Sequence, residues 1–349
     1  MKRVRIGDRF VGDGEPCFII AEAGVNHNGD IELAKKLIDV AKEAGADAVK
    51  FQTFKAENVV IKHTPKADYQ VENTKSNESQ YDMLKKLELS EDEFRELYRY
   101  AKNKGIMFLS TPFDFESVDF LEELGVPAFK ISSTDLTNLP FLEYIAEKGK
   151  PIILSTGMGT LGEIEEAVSA IKNAGNENII LLHCITSYPA KIESLNLRVI
   201  KTLKEAFKLP VGFSDHSLGI YAPIAAVALG AVVIEKHFTL DKNLPGPDHK
   251  ASLNPEELRE MIRGIRLIEK ALGDGIKRPT SEEMKIKKVA RRSIVAKVNI
   301  PRGAIITKEM IAFKRPGIGL PPKYYNEVIG KKARRDIKAD ELIHWWDLE

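Results

Sequence analysis

Between residues 16 and about 270 the chain alternates two hydrophobic patterns. Short β-branched apolar runs recur eight times: CFIIAEAG, DAVKFQTF, IMFLSTPF, PAFKISS, PIILSTG, IILLHC, PVGFSDHS and VVIEKHF. Between most of them lie longer stretches with helical spacing. IELAKKLIDVAKEAG places Leu33, Leu37, Val40 and Ala44 on one stripe and stops at Gly45. SEDEFRELYRYAKNKG opens on Ser90 with Glu93 at the capping-box position, and LGEIEEAVSAIKNAG follows the same rule. Eight strand–helix units in this length predict an α/β fold of the (β/α)8 TIM-barrel type. A doubly wound open sheet is the alternative. Its first turn would often be glycine-rich, and EAGVNHNG is not G-x-G-x-x-G.

The rhythm breaks twice. Residues 55–89 separate the second strand from its helix, and a long loop on that side of a barrel lies over the functional face. At 273–289 (GDGIKRPTSEEMKIKKV) the composition turns polar, with glycine, proline and lysine, as linkers do. The organisation predicted is a barrel domain over 1–272, a linker over 273–289 and a small β-rich domain over 290–349. In the last part VNIPRGAIITKEMI resembles RDIKADELIHWWDL in its apolar-turn-apolar order, so a compact pseudo-symmetric module is expected.

Composition mainly excludes. Fifty-two basic and 51 acidic side chains leave a net charge of +1 over 349 residues, which favours neither nucleic acid nor an anionic membrane as partner. No window approaches the roughly 18 apolar residues of a membrane span. The N-terminal MKRVRIGDRF has no apolar core of a signal peptide. Two cysteines, Cys17 and Cys184, are too few for a disulfide scaffold, and the expected location is a reducing cytoplasm.

The predicted strand ends are too polar for a barrel core. Glu22 closes the first strand and Thr111 the third. Lys50 and Gln52 stand on the second, Lys130, Ser132 and Ser133 on the fourth, with Asp135 just beyond. Ser155 and Thr156 end the fifth, His183 the sixth. Ser214, Asp215 and His216 lie on the seventh, Glu235, Lys236 and His237 on the eighth. Lys50 with Gln52, Ser214 with His216, and Glu235 with His237 each share a face. Barrel enzymes draw their catalytic groups from these strand ends. Taken singly, each residue could be a satisfied buried polar group; together they describe a functional face. Two lysines with the hydroxyls of Ser133, Ser155 and Ser214 suit a small dianion bearing carboxylate and phosphate. His216 and His237 suit a divalent metal with open positions, although two histidines alone hold a metal only modestly.

The strings IIAEAGVNHNG, AVKFQTF, FLSTPF, FKISS, IILSTGM, LLHCITSYP, GFSDHS, EKHFTLDKNLPGPDH and KRPGIG, in this order over nearly the whole chain, resemble the N-acetylneuraminate (sialic acid) synthase family, which includes the legionaminic and pseudaminic acid synthases. The C-terminal part resembles the antifreeze-like (SAF) domain of that family. The resemblance implies condensation of phosphoenolpyruvate with the open-chain aldehyde of an N-acylated amino sugar, with release of phosphate. N-acetylmannosamine is the expected acceptor, and 2,4-diacetamido-2,4,6-trideoxymannose the alternative. It implies that Lys50, Lys130, Ser133, Ser155 and Ser214 bind phosphoenolpyruvate, with Thr186 standing in for an asparagine. It implies that His216 and His237 ligate the metal, with Mn2+ expected and Mg2+ or Co2+ possible. Glu22, Gln52, Thr111, Phe113, Tyr188 and Asp248 would contact the sugar, with Asp135 at a position where some relatives have glutamate and Asn73 or Thr74 from the long loop. Glu22 is the chosen proton carrier. Arg315 in KRPGIG would reach the partner's barrel in a domain-swapped homodimer.

Two rivals stand beside this reading. One is a pyruvate aldolase forming a Schiff base through Lys130. The other is a non-catalytic sugar- or ice-binding protein, against which the dense charge of Lys331, Lys332, Arg334 and Arg335 argues. Cys184 reads as core packing, and Trp345 and Trp346 as an anchor for the small domain or part of the dimer contact.

Overall fold

The computed structural model describes residues 3–349; Met1 and Lys2, part of the basic N-terminal string, lie outside the described residues. The chain divides into two compact units, Met1–Gly273 and Asp274–Glu349.

All eight apolar runs of the first unit are strands. After an N-terminal hairpin of β1 (Val4–Ile6) and β2 (Arg9–Val11) come β3 (Phe18–Gly24), β4 (Ala48–Thr53), β5 (Met107–Pro112), β6 (Phe129–Ile131), β7 (Ile152–Ser155), β8 (Ile179–Cys184), β9 (Val211–Asp215) and β10 (Val233–His237). The order in the sheet is β5-β4-β3-β10-β9-β8-β7-β6, every pairing parallel. The last strand ladders onto the first, Val233 opposite Phe18, which an open doubly wound sheet with its reversal of strand order does not do. β5 and β6 lie side by side and close the circle by contact. The fold is a (β/α)8 TIM barrel with helices outside.

Alternation along the strands sorts the core into two shells. Ile19, Ala21, Val49 and Phe51 face the helices. Ile20, Ala48, Leu109, Ile153, Ile180, Leu182 and Val233 fill the interior, where the hairpin's Val4, Ile6 and Val11 join them. Those three hairpin side chains are fully buried, each contributing about 1.5–3 kcal/mol over exposure. Aliphatic packing thus plugs the N-terminal end of the barrel.

Helix ends follow the local chemistry. Asp30 caps Ile31–Ala44 by accepting from the backbone N–H of Glu32 and Leu33, and Gly45 ends it in the left-handed region. Its buried stripe is Ala34, Leu37, Ile38, Ala41 and Ala44, rotated from the predicted one, so Leu33 and Val40 sit at its flank. Ser90 and Glu93 form the expected capping box. The 55–89 excursion holds three short helices, Ala56–Val59, Asp68–Thr74 and Gln80–Leu87. Met83 and Leu87 pack with Val25 and Phe54, which anchors the last of these to the top of the barrel.

The stretch predicted as linker is helical over Ser281–Ala290. Its proline and glycines masked a capping box, in which Thr280 and Glu283 each accept the other's backbone N–H. The second unit pairs β11 (Ser293–Ala296) antiparallel with β12 (Ile311–Lys314) around a core that includes Ile294, Ile300, Ile306, Ile337 and Ile343. The repeat is physical. Ile300 and Ile337, equivalent in the two copies, exchange both backbone hydrogen bonds at 2.8 Å. Gly303 and Asp340, also equivalent, both have positive φ, and each copy ends in a 3-10 turn, Lys308–Met310 and Trp345–Asp347.

Candidate active site

A cavity of about 570 Å³ opens at the C-terminal ends of the barrel strands. Its floor is a ring of charge. Lys50 Nζ lies 2.6 Å from Glu22 Oε2 and 2.9 Å from Thr111 Oγ1. Lys130 Nζ lies 3.4 Å from Glu235 Oε1, Lys50 Nζ lies 3.9 Å from Glu235 Oε2, and Ser214 Oγ donates to Glu235 Oε1 at 2.9 Å. Gln52 Nε2 donates to Glu22 Oε1 at 3.3 Å. Lys50, Lys130, Glu22 and Glu235 are all buried. Burying four charges is tolerable because two are of each sign.

The two carboxylates titrate apart. Burial pushes Glu22 up to about 7 against the pull of Lys50, and the charge of Glu235 adds to the rise. Glu235 is buried too, but Lys130 and Lys50 hold it below its ordinary range. At neutral pH one carboxylate is therefore ionised while the other exchanges a proton readily, the condition for general acid–base work. Lys130 is itself lowered by burial, with Glu235 opposing.

Two strand ends bend to make room. The β3–β4 register shifts between Glu22 and Gly24. Gly24 has φ +55°, and a Cβ there would sit 3.1 Å from Glu22 Oε1 and 3.3 Å from His237 Cε1. After β7, a side chain at Gly157 would collide with Thr186 Oγ1 and Ser133 Oγ. Instead the Gly157 N–H donates to Ser133 Oγ at 2.9 Å. Beside this turn the buried Ser155 Oγ and Thr186 Oγ1 have no hydrogen-bond partner. A buried hydroxyl left unpaired costs about 1–3 kcal/mol, so both are set to meet a ligand.

The imidazoles of His216 and His237 face each other, centroids 5.4 Å apart. His216 Nδ1–H donates to the Ile185 carbonyl at 2.8 Å, which leaves the Nε2 lone pair free in the neutral ring. His237 Nδ1 is buried with no partner, and burial together with His216 and Lys50 holds that ring far below the ordinary range. A neutral imidazole with an unspent nitrogen is the state in which histidine ligates metal, and His237 is held in it. Burial lowers His216 too, but Cys184, the Ile185 carbonyl and Glu235 outweigh it and raise that ring, so a divalent cation on the pair would compete with a proton at His216. Among the described residues no group of three His, Cys, Asp or Glu side chains converges as a metal site.

Tyr188 packs over His216 at 4.0 Å between centroids and stacks on Tyr69 of the long loop at 5.3 Å. Asp248 and Asp135 line the same cavity; burial raises Asp248 to about 6, against His216, and raises Asp135 as well. Phe113, Gln52 and Thr111 complete the set of sequence-predicted residues on the cavity surface.

Asn73 and Thr74, the long loop's predicted sugar contacts, are not on the cavity surface; Thr74 donates its hydroxyl to the Gln70 carbonyl at 2.6 Å. Asn73 spends its amide on the Pro247 carbonyl at 2.6 Å and ties the long loop to the segment after β10. Arg315 belongs to the second unit, exposed, at a cis Arg315–Pro316 bond. His183 is a packing residue, its Nε2–H donating to the Leu195 carbonyl at 2.7 Å. Cys184, read as core packing, is buried yet lines the cavity, its Sγ 3.7 Å from His216 Nδ1.

Sequence reasoning assigned no role to Glu235, although its place two residues before His237 on an inward face was visible. It also missed Asn58, Tyr69, Gln70 and Gln80, which the excursion's short helices bring over the cavity. No periodicity in that stretch points to them.

Fold and lining together define a class: a (β/α)8 barrel whose C-terminal face holds a small-molecule chamber with paired ammonium, carboxylate and imidazole groups. The comparisons with known proteins narrow it. Residues 37–277 match the NeuB family model and residues 291–349 the SAF domain model; the chain belongs to the NeuB family. It is 55% identical to the N,N'-diacetyllegionaminic acid synthase of Campylobacter jejuni, over 93% of this chain and 98% of that protein. It is 42% identical to human N-acetylneuraminate-9-phosphate synthase, over 96% and 93%. Among solved structures, the N-acetylneuraminic acid (sialic acid) synthetase of Leptospira borgpetersenii superposes with a TM-score of 0.73 at 39% identity, covering 82% of this chain and 95% of that one.

Proposed function

We propose that this chain condenses phosphoenolpyruvate with the open-chain aldehyde of an N-acylated amino sugar, adding water and releasing phosphate to give a sialic-acid-type sugar acid. The observation that carries the reading is the floor of the chamber. Two ammonium groups and the unpartnered hydroxyls of Ser155 and Thr186 converge where a small dianion would lie. Lys50 and Lys130 clamp carboxylate and phosphate, and Ser133, Ser155, Thr186 and Ser214 supply directional donors.

The enol carbon of phosphoenolpyruvate attacks the aldehyde carbon, and the carbonyl oxygen takes a proton. Glu22, raised toward neutrality by burial, delivers that proton and, as carboxylate, takes one from the water that adds at the phosphate-bearing carbon. The tetrahedral adduct then expels phosphate. His216 and His237 would hold a divalent cation, Mn2+ for preference, with Mg2+ or Co2+ alternatives; such an ion supplies Lewis acidity at the aldehyde oxygen. Lys130 acts as a charge clamp. Burial lowers it, as a Schiff-base amine requires, but Glu235 and a bound dianion favour its charged form.

N-acetylmannosamine fits as acceptor. A second sugar, 2,4-diacetamido-2,4,6-trideoxymannose, is favoured by one observation: the loop covers the chamber with Val59, Val60, Met83, Leu84 and Leu87. That apolar wall suits acyl and deoxy methyl groups. The similarity to a legionaminic acid synthase supports the same choice. We further propose a cytoplasmic, domain-swapped homodimer in which Arg315 serves the partner's chamber; sedimentation as monomer only at micromolar concentration would remove that role.

The direct test is phosphate release from phosphoenolpyruvate with Mn2+ and each sugar, or none. Release with one sugar, abolished by a chelator, is the expected result. Silence with both sugars, together with borohydride trapping of pyruvate on Lys130, would replace the synthase by an aldolase.

A further inference from the structure

The residues just before the two imidazoles point the other way. Asp215 precedes His216 and Lys236 precedes His237, and the two are direct partners in the β9–β10 register. Strand alternation puts them on the outer face of the barrel, behind the chamber. Both are buried, Lys236 at 0% and Asp215 at 1% exposure. Lys236 Nζ lies 2.5 Å from Asp215 Oδ2 and also donates to the Ser217 carbonyl. Asp215 Oδ1 accepts the Ser217 N–H at 2.9 Å. One ammonium, adjacent in the chain to His237, therefore grips both residues that flank His216.

Stability alone is a poor reason for such a pair. Desolvating two charges is costly, and apolar residues of similar volume often serve as well or better. The same strands show the apolar solution two residues earlier, where Phe213 and Ile234 are paired, fully buried and part of the helix-facing core. What an ion pair adds is direction: its hydrogen bonds hold the backbone on both sides of His216 relative to β10. We propose that Lys236 and Asp215 are positioning residues that set the separation and tilt of His216 and His237, 5.4 Å and 52° between the rings. The consequence for activity rests on the proposed role of those two imidazoles; the positional claim does not.

The test uses the full-length chain with Lys236→Met, Lys236→Arg and Asp215→Asn beside wild type. Selective 15N-histidine labelling reads the ring-nitrogen signals of the metal-free protein. Lys236→Met is expected to move the signals of His216 and His237 and to leave those of His63 and His344 in place. Mn2+ affinity, read by electron paramagnetic resonance of the free ion, should fall about 10–100-fold, the usual cost of losing an outer support of a metal site. The turnover number should fall with KM for phosphoenolpyruvate within about twofold, and Lys236→Arg should restore part of each loss. A folded Lys236→Met with unmoved His216 and His237 signals, and a lower melting temperature only, would overturn the proposal. Should that variant fail to fold, Asp215→Asn, which keeps shape and removes charge, decides by the same signals. Wild type that binds no Mn2+ and releases no phosphate would overturn the functional reading, while the imidazole signals still judge the clamp.

Discussion

The two ends of the barrel interior are built by the same strands and obey different chemistry. At the N-terminal end Ile20, Ile153, Ile180 and Val233 pack against the hairpin's Val4, Ile6 and Val11, all fully buried. Two residues further along, on the same inward face, stand Glu22, Ser155 and Glu235, with the orphan hydroxyl and the lysine pairs. Alternation alone does not distinguish the two ends, since both are buried. The difference is whether polar atoms are satisfied. The plug has none to satisfy, whereas the floor of the chamber keeps several waiting. One end stabilises the fold, and the other spends stability on a prearranged charge pattern.

That contrast can be broken from either side. The largest effect is expected from Lys130→Met, which removes an ammonium from the floor. Steady-state kinetics should show kcat/KM per folded molecule lower by about 100–1000-fold, the scale of losing one prearranged donor, with a lowered melting temperature because buried Glu235 loses its nearer counter-charge. A lowered melting temperature with kcat/KM per folded molecule unchanged would make Lys130 a structural residue. Next comes Ile180→Ala in the plug, expected to cost about 2–4 kcal/mol in chemical denaturation with turnover per folded molecule nearly unchanged. Loss of turnover at full folding would mean the two ends are coupled. Ser155→Ala should raise KM for phosphoenolpyruvate by about tenfold, the worth of one hydrogen bond to a charged group, and equal KM values would show that its hydroxyl meets no anion.

The mildest test is on Glu22. Its folded pKa, about 7, lies above the ordinary 4.5 of a glutamate. Between these values the unfolded chain releases the proton while the folded chain keeps it. The contribution of Glu22 to stability is thus fully present below pH 4.5, is lost as pH rises through 7, and is gone beyond. Glu22→Gln should flatten that part of the wild-type profile, measured as the difference in melting temperature across pH. Parallel profiles would show that Glu22 is not the group that holds a proton.

How far the sequence reaches is clearest at particular residues. Eight dense apolar runs against one helical rhythm were enough for the barrel, because periods of 2 and 3.6 are local properties of the backbone. The polar strand ends named the chamber's floor for the same reason. Local order misled twice. The stripe on Ile31–Ala44 is rotated because its burial is decided by which neighbours it packs against. The helix at Ser281–Ala290 hid behind a loop-like composition despite its Thr280–Glu283 box.

By itself the chain determined the element types, the inward faces of the strands and the two-part organisation, each written in short-range periodicity and capping chemistry. Tertiary structure alone decided which polar groups meet. Lys50 stands 28 residues from Glu22 but within one ion pair of it, Lys130 finds Glu235 across the barrel, and Asn73 binds Pro247 instead of facing the chamber. Those outcomes depend on strand order, on the bend at Gly24 and on where a loop without periodicity settles. Coulomb and hydrogen-bond energies act over a few ångströms of space and take no account of distance along the chain.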